Sequence, residues 1–327
     1  MKALVCREFG PPENLVLEDR PSPEPGPGEV RVDLRAAGLN FPDLLVISGQ
    51  YQVRTPPPFV PGSEAAGVVS ALGEGVTRFK TGQRVIVTPT LGAFAEQVVA
   101  PEALCMPLPE AMSFEAGAAF TVTYATAFHA FRQCTELRAG ETLLVLGAAG
   151  GVGTAAVEIG KALGARVIAA ASGPDKLAFA KSVGADETID YAETSLRDAI
   201  RERTDGHGVD VVFDPVGGEL AQQALRGLAW QGRYLVVGFA SGDIPAFPAN
   251  LALLKEASII GVWWGAWGKQ QPDDALQNLA ELAQWVEQRR LVPRVTKTYA
   301  LDEYAQAFDA ILERRALGKL VFTMGAD

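Results

Sequence analysis

The chain has 327 residues, 48% hydrophobic and 21% charged, which is the composition of a globular protein long enough for two cores. A formal net charge of -10 argues against a nucleic-acid binder, because that affinity comes from basic residues releasing phosphate counterions. The cysteines Cys6, Cys105 and Cys134 are odd in number and far apart, which argues against a disulfide framework and fits a reducing compartment.

"MKALVCREFG" has no apolar signal core, and no later run approaches the roughly 18 to 20 apolar residues of a membrane span, so a soluble cytoplasmic protein is expected. Residues 1 to about 120 read as short strands between Gly and Pro turns: "KALVCREF", "EVRVDLRAAGLN", "AAGVVSALG", "QRVIVTP" and "FAEQVVA". Within this part, "AAGLNFPDLLVISGQY" offers Asn40, Asp43 and Tyr51 as polar candidates for a pocket. Asn40 and Asp43 follow a strand and open a short helix, so they either line the pocket or cap the helix. Tyr51 either donates a proton or packs within its Pro-rich loop.

From about Ala118 strand and helix alternate, through "TLLVLGAAGG", "TAAVEIGKALGA", "RVIAAAS", "PDKLAFAKSVGA", "ETIDY", "DVVFDPVGG", "RYLVVGFASG" and "SIIGVWWGA". This predicts an α/β domain, a parallel sheet wrapped by helices. The helix-like "DDALQNLAELAQWVEQRRL" and the strand-like "KLVFTM" are expected to rejoin the first domain. The expected division is therefore 1–120 with 268–327, and 121–267.

The glycine run of the second domain lies between an apolar strand and an amphipathic helix, where G-x-G-x-x-G would cradle a dinucleotide pyrophosphate. Its three places fall on Ala148, Gly150 and Gly153, so the first departs from the pattern. A helix starting near Gly151 and Val152 would aim its free N–H groups at the phosphates. The next strand ends in Ala171 and Ser172 with Lys176 following, where an NAD site would place a carboxylate. A hydroxyl and an ammonium suit a 2′-phosphate, so NADPH is expected, unless Lys176 is only a solvated residue in the first turn of a helix. Tyr191, after the following strand, either reaches the same phosphate or packs.

His129, His207 and three dispersed cysteines do not make a zinc site, and no Ser nucleophile elbow is present. Hydride transfer needs neither, because the cofactor carries the reactivity.

Together "AAGLNFPDLL", "PFVPGSEAAGVV", "GAFAEQVV", "VTYATAFHAF", "LGAAGGVGTAAVEIGKALGA", "LVVGFASG" and "GVWWG" resemble the zinc-independent quinone oxidoreductase branch of the medium-chain dehydrogenase/reductase superfamily, the zeta-crystallin-like enzymes. Asn40 stands where zinc-dependent relatives carry a cysteine ligand, and Gly62, Ser63 and Glu64 stand where their Gly-His-Glu supplies a histidine. The resemblance implies a GroES-like β-rich domain and a Rossmann domain with the active site between them. It implies NADPH contacts at Ser172, Lys176 and Tyr191. It also implies that Asn40, Thr126, the turn Gly238, Phe239 and Ala240, and the strand bearing Trp263 and Trp264 lie near the nicotinamide, with Lys319 near the cofactor. A homodimer through the last Rossmann strand is expected.

The leading expectation is NADPH-dependent hydride transfer to a quinone without zinc. Reduction of an activated alkene (enone, enal or enoyl thioester) is the alternative, with Tyr51 as its proton donor. A non-catalytic, crystallin-like or RNA-associated role ranks third, since the acidic charge and the lack of a basic stripe count against RNA.

Overall fold

The computed structural model describes residues 1–325. The chain opens with strands β1 (Lys2–Cys6), β2 (Leu15–Asp19) and β3 (Glu29–Leu39), helix α1 (Phe41–Ile47), strands β4 (Ala65–Leu72), β5 (Arg84–Val87), β6 (Gln97–Pro101) and β7 (Cys105–Pro107), and helix α2 (Phe114–Ala118). Then follow α3 (Thr121–His129), β8 (Thr142–Leu146), α4 (Gly151–Ala162), β9 (Arg166–Ala171), α5 (Pro174–Ser182), β10 (Glu187–Asp190), α6 (Leu196–Arg203) and β11 (Val209–Asp214). The remainder comprises α7 (Gly218–Arg226), β12 (Leu228–Val236), α8 (Ala249–Lys255), β13 (Ser258–Gly261), α9 (Trp264–Gln270), α10 (Pro272–Glu287), β14 (Val295–Ala300), α11 (Tyr304–Leu312) and β15 (Lys319–Thr323). None of these helices is long and apolar enough to cross a membrane.

Contacts divide the chain into two compact units: Met1–Val122 with the segment from Val292 onward, and Thr123–Leu291. In the first, a sheet runs in the order β14-β15-β3-β4-β5-β7, and β6 also pairs with β3. The first half of β3 alternates, with Val30, Val32 and Leu34 buried between partly exposed Arg31 and Asp33, as a half-covered strand must. Its second half, Ala36 to Leu39, is buried throughout. There β15 pairs antiparallel with it, Leu320 opposite Leu39. The C-terminal strand is thus built into the sheet, and Phe322 stacks edge-on to Phe94 at 5.0 Å in the core.

The second unit holds a six-stranded parallel sheet, in the order β10-β9-β8-β11-β12-β13. Helices cover both faces of such a sheet, so its inner strands read as unbroken apolar runs such as "LLVL" and "VIAAA". The strand order reverses between β8 and β11, and the turn leaving β8 lies at this switch point, where doubly wound sheets bind ligands.

The expected boundary at 267/268 is corrected: α10 belongs to the second unit. Trp285 of this helix packs edge-on against Phe128 at 5.4 Å, Glu281 pairs with Arg132 at 2.7 Å, and Asn278 exchanges amide hydrogen bonds with Gln133. Only β14, α11 and β15 return to the first unit.

Gly153 lets α4 lie directly on the turn leaving β8. A Cβ there would come 2.3 Å from the Gly147 carbonyl oxygen and 2.8 Å from the Ala148 Cα. Gly153→Ala should therefore destabilise the protein by about 1–3 kcal/mol, the usual cost of overpacking. An unchanged urea midpoint would contradict this packing account.

Candidate functional site

The expected site residues divide between the two units. In the second unit the tight turn after β8 is made by Gly147, at φ +56°, rather than by Ala148. The motif is thus shifted by one residue at its first place, and Ala148 keeps a fully buried position with its N–H on the Ala170 carbonyl. Gly150 caps α4 in extended conformation. The N–H groups of Gly151, Val152 and Gly153 have no acceptor among the described residues, as expected for a first helical turn. They leave the positive end of the helix dipole available to an anion.

Past the end of β9, the Lys176 ammonium lies 3.4 Å from the Ser172 hydroxyl. The Gly173 N–H between them donates to the Asp190 carboxylate at 3.1 Å, which also takes the Ala192 N–H at 3.0 Å. Sequence reading missed this acid, since it stands on β10 and reaches β9 only through sheet pairing, opposite Ala171. Tyr191, half-buried, packs against the core of this unit.

The turn Gly238, Phe239 and Ala240 is tied to the end of β11. The Asp214 carbonyl accepts the Gly238 N–H at 3.3 Å and the Pro215 carbonyl the Ala240 N–H at 3.0 Å. Asp214 is itself locked, because its carboxylate takes the Tyr234 hydroxyl at 2.5 Å and the N–H groups of Val216 and Gly217 at 2.7 and 2.9 Å. Burial pushes both the Asp214 carboxyl and the Tyr234 phenol upward. Thr126 is half-buried on α3. The tryptophans do not lie on a strand as expected: β13 stops at Gly261, Trp263 precedes α9, and Trp264 is its first residue. Sheet pairing extends only to the bond from Val262 N–H to the Val236 carbonyl, after which the chain turns into a helix. The Trp264 indole N–H is buried with no acceptor among the described residues.

In the first unit, Asn40, Asp43 and Lys319 come together around Glu64. Lys319 is 4% exposed and Glu64 0%, and the ammonium pairs with Glu64 Oε1 at 2.5 Å. Asn40 donates from Nδ2 to the same oxygen at 2.8 Å and accepts from Lys319 on Oδ1. The second carboxylate oxygen of Glu64 takes the Val122 N–H at 2.9 Å. A Cβ on Gly38 would lie 2.7 Å from Glu64 Oε1 and 2.2 Å from the Ala118 carbonyl oxygen, so only glycine admits the carboxylate against β3. Asp43 takes the capping role, accepting the Asn40 N–H at 2.8 Å at the start of α1. Tyr51 follows α1, half-buried, with its N–H on the Leu45 carbonyl at 3.0 Å. Glu64 was not singled out from the sequence as a site residue. Its signal was a lone acid before an apolar strand, matched by a lone lysine opening the apolar "KLVFT".

Burial lifts the Asp43 carboxyl from 3.8 to about 7, with Glu64 adding to the rise and the Asn40 N–H and Lys319 opposing it. The folded chain therefore holds this proton more tightly than the unfolded chain. Asp43 contributes its stability fully below about pH 3.8 and loses it as pH rises to about 7, over a range of about 4 kcal/mol. Asp43→Asn, which keeps an oxygen for the Asn40 N–H, should remove this slope from urea-unfolding free energies. Parallel pH profiles for the two proteins would contradict it.

The chain matches the family model of the alcohol dehydrogenase GroES-like domain over residues 26–110 and that of the zinc-binding dehydrogenase over residues 151–283. It is 38% identical to a quinone oxidoreductase-like protein 2 homolog of Nematostella vectensis, over 98% of this chain and 88% of that one. It is 39% identical to a quinone oxidoreductase of Pseudomonas aeruginosa, over 98% of each chain. Its fold is similar to the crystal structure of Escherichia coli quinone oxidoreductase complexed with NADPH, with a TM-score of 0.93, 28% identity, and 99% and 100% of the two chains covered. With GroES-like and Rossmann units both in place, this chain belongs to the quinone oxidoreductase branch of the medium-chain dehydrogenase/reductase superfamily.

Proposed function

We propose that this protein takes hydride from NADPH and delivers it to a quinone, with no zinc ion taking part. The observation that carries the reading is the end of β9, where a hydroxyl and an ammonium, Ser172 and Lys176, stand 3.4 Å apart beyond a glycine turn with open N–H groups. That pair suits a 2′-phosphate, and the Asp190 carboxylate nearby is already taken up by backbone N–H groups. The quinone is suggested by the named relatives.

The residues present fit the dinucleotide. Gly150 to Gly153 at the head of α4 receive the pyrophosphate, while Ser172, Lys176 and Tyr191 receive the 2′-phosphate. Thr126, the turn Gly238 to Ala240, Trp263 and Trp264 serve the nicotinamide from the second unit, and the unpaired Trp264 indole N–H offers it a donor. When bound, NADPH supplies the hydride. The net change is quinone, NADPH and one proton to hydroquinone and NADP⁺, and Tyr51 is the residue assigned to relay the proton. The donor set supports a zinc-free reaction, because Glu64 is engaged by Lys319 and an amide occupies position 40. Among the described residues no group of three or more His, Cys, Asp or Glu side chains gathers to hold a metal.

A homodimer fits β13, which is the edge of the parallel sheet and leaves Ser258, Ile259 and Gly261 exposed. Leu253 and Leu254, 78% and 67% exposed just upstream, add apolar surface for a second copy to cover. Sedimentation at twice the chain mass is expected, and a monomer at micromolar concentration would contradict it.

Lys176→Ala should weaken NADPH binding about tenfold or more, the scale of one charge-assisted contact, and leave NADH nearly unchanged. Equal losses for both cofactors, by fluorescence titration, would mean that Lys176 only supports α5.

A further inference from the structure

Within the second unit, one stretch of chain brings a thiol and an imidazole together. Helix α3 ends at His129 and runs on as a single π-helical turn, Ala130–Cys134. The Thr135 N–H closes this turn on the Ala130 carbonyl, five residues back, at 3.1 Å. In an α-helix, residues five apart point about 140° away from each other around the axis, so Cys134 would face away from His129. The wider π turn brings it back, and Cys134 Sγ lies 3.2 Å from His129 Nε2.

The other ring nitrogen is fixed as well. His129 Nδ1 lies 3.3 Å from Gln133 Oε1, an acceptor, so Nδ1 carries the proton and Nε2 presents its lone pair to the thiol. The Gln133 amide is oriented by two reciprocal hydrogen bonds of 3.2 Å with buried Asn278. The Trp267 indole stacks on the imidazole, with the ring centres 4.3 Å apart. Thiol, base and orienting amide thus follow one another as in a nucleophilic triad. Burial lowers the His129 imidazole from its ordinary value, against the Gln133 hydrogen bond, and raises the Cys134 thiol, so the resting pair is neutral. Arg132 of the π turn and Glu281 of α10, the charges on the two segments that meet here, pair with each other at 2.7 Å. Cys134 is half-buried, whereas Cys6 and Cys105 are buried.

We propose that Cys134 is a covalent attachment site for small conjugated carbonyl compounds, quinones and enals, with His129 as the base that takes the thiol proton. The sulfur attacks the carbon β to the carbonyl, forming an S–C bond, and the C=C electron pair moves to the oxygen as an enolate. The thiol proton passes to Nε2 and from there to the enolate. With a quinone, the attacked carbon then loses its hydrogen to an oxygen and a thioether hydroquinone results, so no outside oxidant or reductant is needed. The stacked indole face stabilises the imidazolium formed on the way. This inference goes beyond the hydride-transfer reading and does not rest on it, because no nucleotide takes part.

The competing account is that the S–H···N bond only satisfies a buried imidazole. A thiol whose ionisation is opposed by burial should then react more slowly than a free one. The protein is treated without nucleotide at neutral pH with N-ethylmaleimide or 1,4-benzoquinone, and adducts are located and timed by peptide mass spectrometry. Cys134 should be labelled ahead of Cys6 and Cys105, and faster than glutathione under the same conditions. His129→Gln should slow its labelling about 10²-fold, the lower end of what a positioned base contributes. That gap should close towards about pH 10, where the thiol ionises without help.

Labelling of wild-type Cys134 more slowly than glutathione would overturn the proposal, and this result decides the matter even if the variant does not fold. Equal rates in the two proteins would overturn it too, as would a gap that persists at high pH, since His129 would then act through shape and not through proton transfer. Quinone reduction by NADPH, measured separately, can fail without changing any of these outcomes.

Discussion

A lysine ammonium cannot be withdrawn from water without an anion beside it, and in this protein that requirement joins segments from across the first unit. Lys319 begins the last strand, Glu64 precedes β4, and Asn40 stands between β3 and α1. The ion pair forms only when β15 has paired with β3, so the site cannot assemble without the C-terminal segment. The glycine at position 38 and the Val122 N–H complete the same requirement, one by making room and the other by sharing the carboxylate. Such a pair contributes little net stability, because desolvation offsets most of its attraction. What it provides is a fixed charge in a defined place.

The second unit meets a different constraint. A parallel sheet covered on both faces leaves its turns at the strand ends as the places open to a ligand. The glycines after β8 bring α4 down onto that edge, and the helix dipole then points at whatever the turn admits. The Asp214 carboxylate does comparable work at the end of β11, where it holds Val216, Gly217 and Tyr234 while the Asp214 carbonyl ties down the turn at Gly238. Neither device involves an unusual residue. Both depend on backbone N–H groups that lack partners unless the fold or a ligand supplies them.

The parts legible in the sequence are those whose signals are local. Strand and helix alternation disclosed the parallel sheet, and the pairing of Ser172 with Lys176 followed from four residues of spacing on one helix start. The capping geometry of Asp43 was readable for the same reason. Parts that depend on distant partners were less legible. The separation of 255 positions between Glu64 and Lys319 hid their pairing, though each was a charge set in an apolar stretch. Periodicity alone could not assign α10 to a unit, because its partners Phe128, Arg132 and Gln133 lie on an earlier helix and its π-helical continuation, Ala130–Cys134. The shift of the turn glycine from Ala148 to Gly147 is a matter of one backbone torsion, which neighbouring glycines leave ambiguous. The tryptophans after β13 were misplaced because "GVWWG" reads as strand by composition while the sheet ends before it.

What remains to be tested is hydride transfer from NADPH to a quinone. The most direct measurement is initial-rate oxidation of NADPH and of NADH by the wild-type protein against matched small quinones and enoyl thioesters. The account predicts quinone turnover that prefers NADPH by at least an order of magnitude in kcat/KM. Turnover of the thioesters alone, or equal use of the two nucleotides, would contradict it.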